Sequence, residues 1–227
     1  MQLSSRLQRI ADYIRPGDRI IDVGTDHAYI PIWLLLRDET ATAIATDIRP
    51  GPLARARADA ERFGVAQRLT FQQCDGLALC TPDAVDTVIL AGMGGETMIG
   101  ILAAAPWTRE KRLILQPQTK QAELRAWLDA NGYAITDASL VYDSGRIYLV
   151  WLVAAGEMPD FPGVDAPLIA HRDVLLQPYL EEQIKRVRKR LNGVEHAVSP
   201  QDALCDALKT ELAQLQSIYR EVMTWQQ

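Results

Sequence analysis

The chain has 227 residues, 48% of them apolar and 23% charged, with a net charge of −5. This is the composition of a folded globular protein, not of a disordered or fibrous one, and the length allows one domain with an appendage or two small domains but excludes two large ones. The acidic balance argues against a protein that is basic all over, yet it leaves room for a local basic stripe.

Leu3, Leu7, Ile10, Ala11 and Ile14 recur at helical spacing and predict an opening amphipathic helix with Arg6 and Arg9 together on its solvated face. Strands are then expected at Arg19–Val23, Ala41–Thr46, Leu69–Gln73, Val85–Ala91 and Leu113–Gln116, with helices over Tyr29–Leu36, Pro52–Phe63, Glu96–Ala104 and Gln121–Ala130 among them. Such alternation implies a parallel sheet covered on both faces. Tyr133–Val141 and Arg146–Val153 break the pattern, because the chain between them is too short for a helical crossover and they must pair as an antiparallel hairpin.

The stretch 156–167, with Gly156, Pro159, Pro162, Gly163 and Pro167, reads as a linker between a domain over 1–155 and a helical domain over 168–227. Leu180, Ile184, Val187 and Leu191 predict a helix starting near Pro178 and stopping at Asn192-Gly193. A second is expected from Ser199 as N-cap and Pro200 as first helical residue, with a stripe of Leu204, Leu208, Leu212, Leu215, Ile218 and Val222, so that the two form an antiparallel coiled coil. Lys185, Arg186, Arg188, Lys189 and Arg190 make a basic stripe on the first, although a plain solvated helix face explains them equally well. The longest apolar run, Ile147–Ala155, is too short for a membrane span, and the charged opening segment is unlike a signal peptide. Cys74, Cys80 and Cys205 fit no zinc spacing, so reduced thiols in a cytoplasmic protein without metal are expected.

The chemistry-bearing residues fall at the predicted strand ends, where open α/β sheets bind ligands. The first loop reads Asp22-Val-Gly24-Thr-Asp26-His27-Ala28 and lacks the later glycines of a dinucleotide loop. Its two carboxylates repel a pyrophosphate and attract a cation, which matches S-adenosylmethionine, with its sulfonium and ammonium, better than a nicotinamide dinucleotide. Asp47 ends the second strand, where a carboxylate can accept from ribose hydroxyls, and Asp75-Gly76 ends the third. The fourth ends in Ala91-Gly92-Met93-Gly94-Gly95, whose glycines permit close approach of a bulky ligand, and the fifth in Gln116-Pro117-Gln118-Thr119, able to read a base edge or to cap the next helix. Helix capping for Asp22 and hairpin packing for Tyr148 are the ordinary alternatives, and a lone His27 is more often a structural hydrogen-bonder than a catalyst.

Taken together, LSSRLQRIADYI, DVGTDHAYIP, AGMGG followed by ETM, ILQPQT and GRIYLV resemble the TrmK family across essentially the whole chain. These are class I, S-adenosylmethionine-dependent methyltransferases with a Rossmann-like sheet, acting on N1 of the adenine at nucleotide 22 of tRNA. The resemblance implies that Asp22, Gly24 and His27 line the methionine end of the cofactor, Asp47 holds the ribose, Asp75 and Gly76 flank the adenine ring, and Gly92, Met93 and Gly94 form the floor beside the transferred methyl. For catalysis, Asp26 is the candidate to stabilise the cationic product base, with Gln116 or Tyr29 orienting the base. Arg6, Arg9, Arg146, Tyr148 and the five cations of the tail are candidate tRNA contacts for an enzyme expected to act as a monomer. A methyltransferase of another RNA or a small molecule, or a noncatalytic RNA-binding protein, is the alternative.

Overall fold

In the computed structural model, residues 1–161, 163–196 and 202–225 are described. They divide into two compact units, Met1–Met158 and Pro159–Gln227.

The first unit opens with α1 (Ser5–Ala11), followed by β1 (Ile20–Val23), α2 (Tyr29–Arg37), β2 (Ala43–Asp47), α3 (Pro50–Arg62) and β3 (Leu69–Gln73). After these come β4 (Thr87–Gly94), α4 (Gly95–Ala104), β5 (Arg112–Thr119), α5 (Gln121–Ala130), β6 (Tyr133–Asp143) and β7 (Arg146–Ala155). The sheet runs β3-β2-β1-β4-β5-β7-β6, parallel from β3 to β5, with β7 inserted antiparallel between β5 and β6. Strand order reverses between β1 and β4, opening a crevice at their C-terminal ends.

Successive strand residues point to opposite faces of the sheet, and both faces are buried. Ile20, Ala43, Ala45, Ile89, Ile114 and Val150 pack in one cluster with Ile10, Ile32, Leu35, Ala56 and Ala60 of α1, α2 and α3. The alternate residues Val88, Leu90, Leu113 and Leu115 are also fully buried, as are Met98 and Leu102 of α4 and Leu124 and Leu128 of α5. Two-sided burial explains why the central strands read as unbroken apolar runs. β4 and β5 run longer than the sequence predicts, β4 carrying register shifts around Met93 that let its glycines stay in the sheet. Gly95 opens α4 where a Cβ would overlap the Lys120 carbonyl, so the last glycines serve chain packing as well as ligand approach. α1 is anchored to the hairpin: Ser4 Oγ accepts from Leu7 N, and the Arg6 N–H donates to Asp143 Oδ2 at 3.1 Å.

The second unit contains α6 (Ala166–Ala170), α7 (Leu176–Glu195) and α8 (Asp202–Thr224). α7 and α8 are antiparallel, for Tyr219 Oη donates to Glu181 at 2.8 Å while Lys209 pairs with Glu195 at 3.6 Å near the other end. Leu180, Ile184 and Val187 are buried, as are Leu208, Leu215, Ile218 and Val222, whereas Leu204 is exposed. α7 does not stop at Asn192-Gly193. Glycine inside a helix costs about 1 kcal/mol, which the partner helix outweighs. The expected cap at Ser199 and Pro200 lies outside the described residues, as does Pro162. The short α6 begins inside the stretch that reads as a linker, because its Ala-Pro-Leu start carries the same residue types.

Candidate active site

The crevice holds a cleft of about 300 Å³ lined by Gly24, Asp47, Asp75, Gly76, Gly92 and Met93, all expected site residues. Ile48, Cys74, Thr97 and Ile101 also line it, and a second hollow of about 380 Å³ shares Asp75, Gly76, Thr97 and Ile101 with it. Asp22, in β1 just before its last residue, is not among the residues lining the cleft; it is buried, with Thr25 Oγ1 donating to its Oδ2 at 2.6 Å. Burial pushes its carboxyl up to about 6, against the opposing pull of the Thr25 hydrogen bond and the Arg6 guanidinium. Asp47, also buried, accepts from Arg49 N at 2.9 Å, which fixes its carboxylate at the end of β2.

Four of the singled-out residues have surroundings that the sequence did not indicate. Arg6 does not share a solvated face with Arg9; its Nη1 donates to Gln116 Oε1 at 3.0 Å and its guanidinium stacks 5.5 Å from the Tyr148 ring centroid, while Arg9 stays exposed near Asp12. Asp26 is not a spare carboxylate, being ion-paired with Arg55 of α3. His27 does not line the cleft; its Nδ1 lies 2.7 Å from Asp59 Oδ2, and its ring stacks on Tyr29 with centroids 5.0 Å apart. Gly94 is likewise absent from the lining, and a Cβ there would come within 2.9 Å of Thr119 Oγ1. Asp26 and Ala28 both take left-handed backbone, with φ of 50° and 52°, so the loop keeps a glycine-like path without glycine.

Gln116 is fully buried within β5, which runs three residues past its expected end, and its Nε2 has no hydrogen-bond partner among the described residues. Arg146 is exposed at the turn of the hairpin, and Tyr29 is partly exposed at the start of α2. In the second unit, Arg186 is tied to Glu182, while Lys185, Arg188, Lys189 and Arg190 are exposed on α7. Arg188 also lines a hollow of about 520 Å³ with Arg220 of α8, a residue that the sequence alone did not single out. Among the described residues, no group of three or more His, Cys, Asp or Glu could hold a metal ion, and no helix is long and apolar enough to cross a membrane.

A seven-stranded sheet with one inserted antiparallel strand, and acidic strand ends around a glycine-lined cleft, define a class I methyltransferase domain. Residues 3–151 match the family described as "Methyltransferase domain". The chain is 32% identical to the tRNA (adenine(22)-N(1))-methyltransferase of Bacillus subtilis over 216 residues, 93% of this chain and 89% of that protein. It superposes on the crystal structure of the B. subtilis m1A22 tRNA methyltransferase TrmK with a TM-score of 0.78 at 28% identity, covering 98% of both chains. A Streptococcus pneumoniae protein solved in complex with S-adenosyl-L-methionine gives 0.74 at 27%, covering 96% of this chain and 100% of that one. The chain belongs to the TrmK family of tRNA (adenine(22)-N(1))-methyltransferases.

Proposed function

We propose that the protein transfers the methyl group of S-adenosylmethionine to N1 of the adenine at nucleotide 22 of tRNA. The observation that carries this is the end-to-end match to the B. subtilis enzyme, joined to a cleft whose residues suit the cofactor. The fit rests on charge and shape. Buried Asp22 and Asp47 offer negative charge to a ligand that carries cations, and Ile48, apolar yet 61% exposed beside Asp47, offers a surface for a flat ring. Asp47 would hold the ribose, Asp75 and Gly76 would flank the adenine, and Gly24 with Asp22 would receive the methionine end.

When bound, the cofactor supplies an electrophilic methyl on a sulfonium. N1 of neutral adenine already carries an in-plane lone pair, so the chain needs no strong base there; its task is alignment and exclusion of water. Gln116 and Tyr29 are assigned to orienting the base. Asp26 is assigned to offsetting the positive charge that the base acquires, tempered by Arg55. Tyr148, Arg9, Arg146 and the exposed cations of α7 are assigned to the RNA, whose phosphates position and whose bases specify. Three free cysteines support a cytoplasmic setting, and action as a monomer is part of the same proposal.

Incubation of unmodified tRNA with labelled cofactor, followed by nucleoside analysis, tests the reading. Label is expected in 1-methyladenosine, and a transcript carrying guanosine at nucleotide 22 should take none. Label in another nucleoside, or none at all, overturns it.

A further inference from the structure

We infer that Arg6 is a positioning residue that fixes the Gln116 amide so that Gln116 can only donate, to a ring-nitrogen acceptor, N3 or N7, of the target purine. This rests on the proposed adenine-N1 reading. An arginine guanidinium has donors and no acceptor. The amide atom facing Arg6 Nη1 at 3.0 Å must therefore be the Gln116 oxygen, and the NH2 group is turned elsewhere. That NH2 is the orphan: Gln116 is 0% exposed and its Nε2 meets no acceptor among the described residues. Leaving a buried donor unpaired costs free energy comparable to a lost hydrogen bond, so a partner supplied by the substrate would recover it.

Arg6 is itself held in place. Its backbone N–H donates to Asp143 Oδ2 at 3.1 Å, and its guanidinium lies over the Tyr148 ring. A side chain on Gly92, one of the cleft residues, would sit 3.9 Å from Arg6 Nη1, so the guanidinium stands at the rim of the cleft. Gln116 pairs in register with Ala91, which also lines it. Gln116 thus sits beside a cleft-lining residue, and its amide oxygen is tied through Arg6 to the hairpin.

Donor-only character decides what can be read. With N1 of the base directed at the methyl, the 6-amino group beside it is a donor and offers nothing to an N–H. The remaining in-plane acceptors of adenine are N7 and N3. Arg6 acts through Gln116 and touches no reacting atom.

The test uses the full-length enzyme and synthetic tRNA carrying adenosine, 7-deazaadenosine or 3-deazaadenosine at nucleotide 22, with single-turnover rates at saturating RNA and cofactor. Gln116→Glu keeps an acceptor for Arg6 but deletes the donor. It should lose roughly 10- to 100-fold in rate, with cofactor and tRNA affinities unchanged. One deaza substrate should slow the unaltered enzyme relative to its rate with Gln116→Met, whose own rate falls; the changed basicity of N1 cancels in that ratio. Arg6→Lys should lower the rate less than Gln116→Glu, since an ammonium still donates to the amide oxygen. Wild-type rate in Gln116→Glu, or deaza losses that multiply with the Gln116→Met loss for both substrates, would overturn the inference. Cofactor affinity at the parent's value shows that Gln116→Met is folded and makes that ratio readable. Failure of that enzyme to methylate natural tRNA would remove the underlying reading as well, a separate result.

Discussion

Gly24 and Met93 meet across the point where strand order reverses. Gly24 leaves β1 with φ of 71°, and a Cβ added there would overlap Met93 Cε at the end of β4. Left-handed backbone costs a non-glycine residue roughly 1 to 2 kcal/mol, and a displaced Met93 would enter the cleft. Gly24→Ala should therefore weaken S-adenosylmethionine binding by at least about 10-fold, as read by calorimetry. Adding Met93→Ala should restore the part due to overlap and leave the part due to the backbone. Unchanged affinity in Gly24→Ala would mean that this contact does not shape the site.

Asp22 makes stability and binding depend on pH with opposite signs. An unfolded carboxyl titrates near pH 3.9, whereas burial moves Asp22 to about 6. The folded chain then holds this proton more tightly, so its contribution to stability is complete below about pH 4 and is lost as pH rises through about 6. A cationic ligand is attracted only by the ionised form, so cofactor affinity should fall as pH drops through about 6. Asp22→Asn should bind more weakly, with a flat profile from pH 5 to 8, and should melt higher than the parent at pH 8 when cofactor-free. The same pH profile in both proteins would assign the titration to another group.

The ion pair between Asp26 and Arg55 separates two roles for the loop after β1. If Asp26 offsets charge on the methylated base, Asp26→Asn should lower turnover more than cofactor affinity, while Arg55→Gln, which leaves that carboxylate uncompensated, should not lower turnover. Equal losses in both variants, in rate and in affinity alike, would show that the pair only orders the loop.

These residues also mark how far the sequence carries. β3 and α5 appear at the predicted bounds, because apolar period and turn residues are local signals. Asp22, Asp47 and Asp75 could be placed at one edge of the sheet because each ends a predicted strand. Arg55 and Asp59 could not be linked to Asp26 and His27, since those pairings span 29 and 32 residues and depend on how α3 packs beside the loop. Arg6 looked solvated by helical periodicity alone. Its turn toward Gln116 needs the hairpin, whose Asp143 and Tyr148 lie more than a hundred residues away. Ile48, Thr97 and Ile101 carry no chemical signature, so only the folded cleft reveals them.

The α7–α8 pair supplies the last prediction. Arg186 already spends its charge on Glu182, whereas Lys185, Arg188, Lys189 and Arg190 are exposed, and Arg220 of α8 joins Arg188 around one hollow. If this surface grips the RNA backbone, each neutralised phosphate releases condensed counterions, and affinity falls with salt in proportion to the number of phosphates held. Replacing the four exposed α7 cations with glutamine should weaken tRNA binding and reduce the slope of log affinity against log salt by roughly one for each phosphate no longer neutralised. Cofactor affinity and the rate at saturating tRNA should stay as they were. Arg220→Gln should shift the slope in the same direction by a smaller amount, and Arg186→Gln should do little. Binding measured across a salt series decides it: an unaltered slope in the fourfold variant would leave the helix pair a structural or protein-binding element, and a lost rate at saturating tRNA would tie it to the chemistry instead.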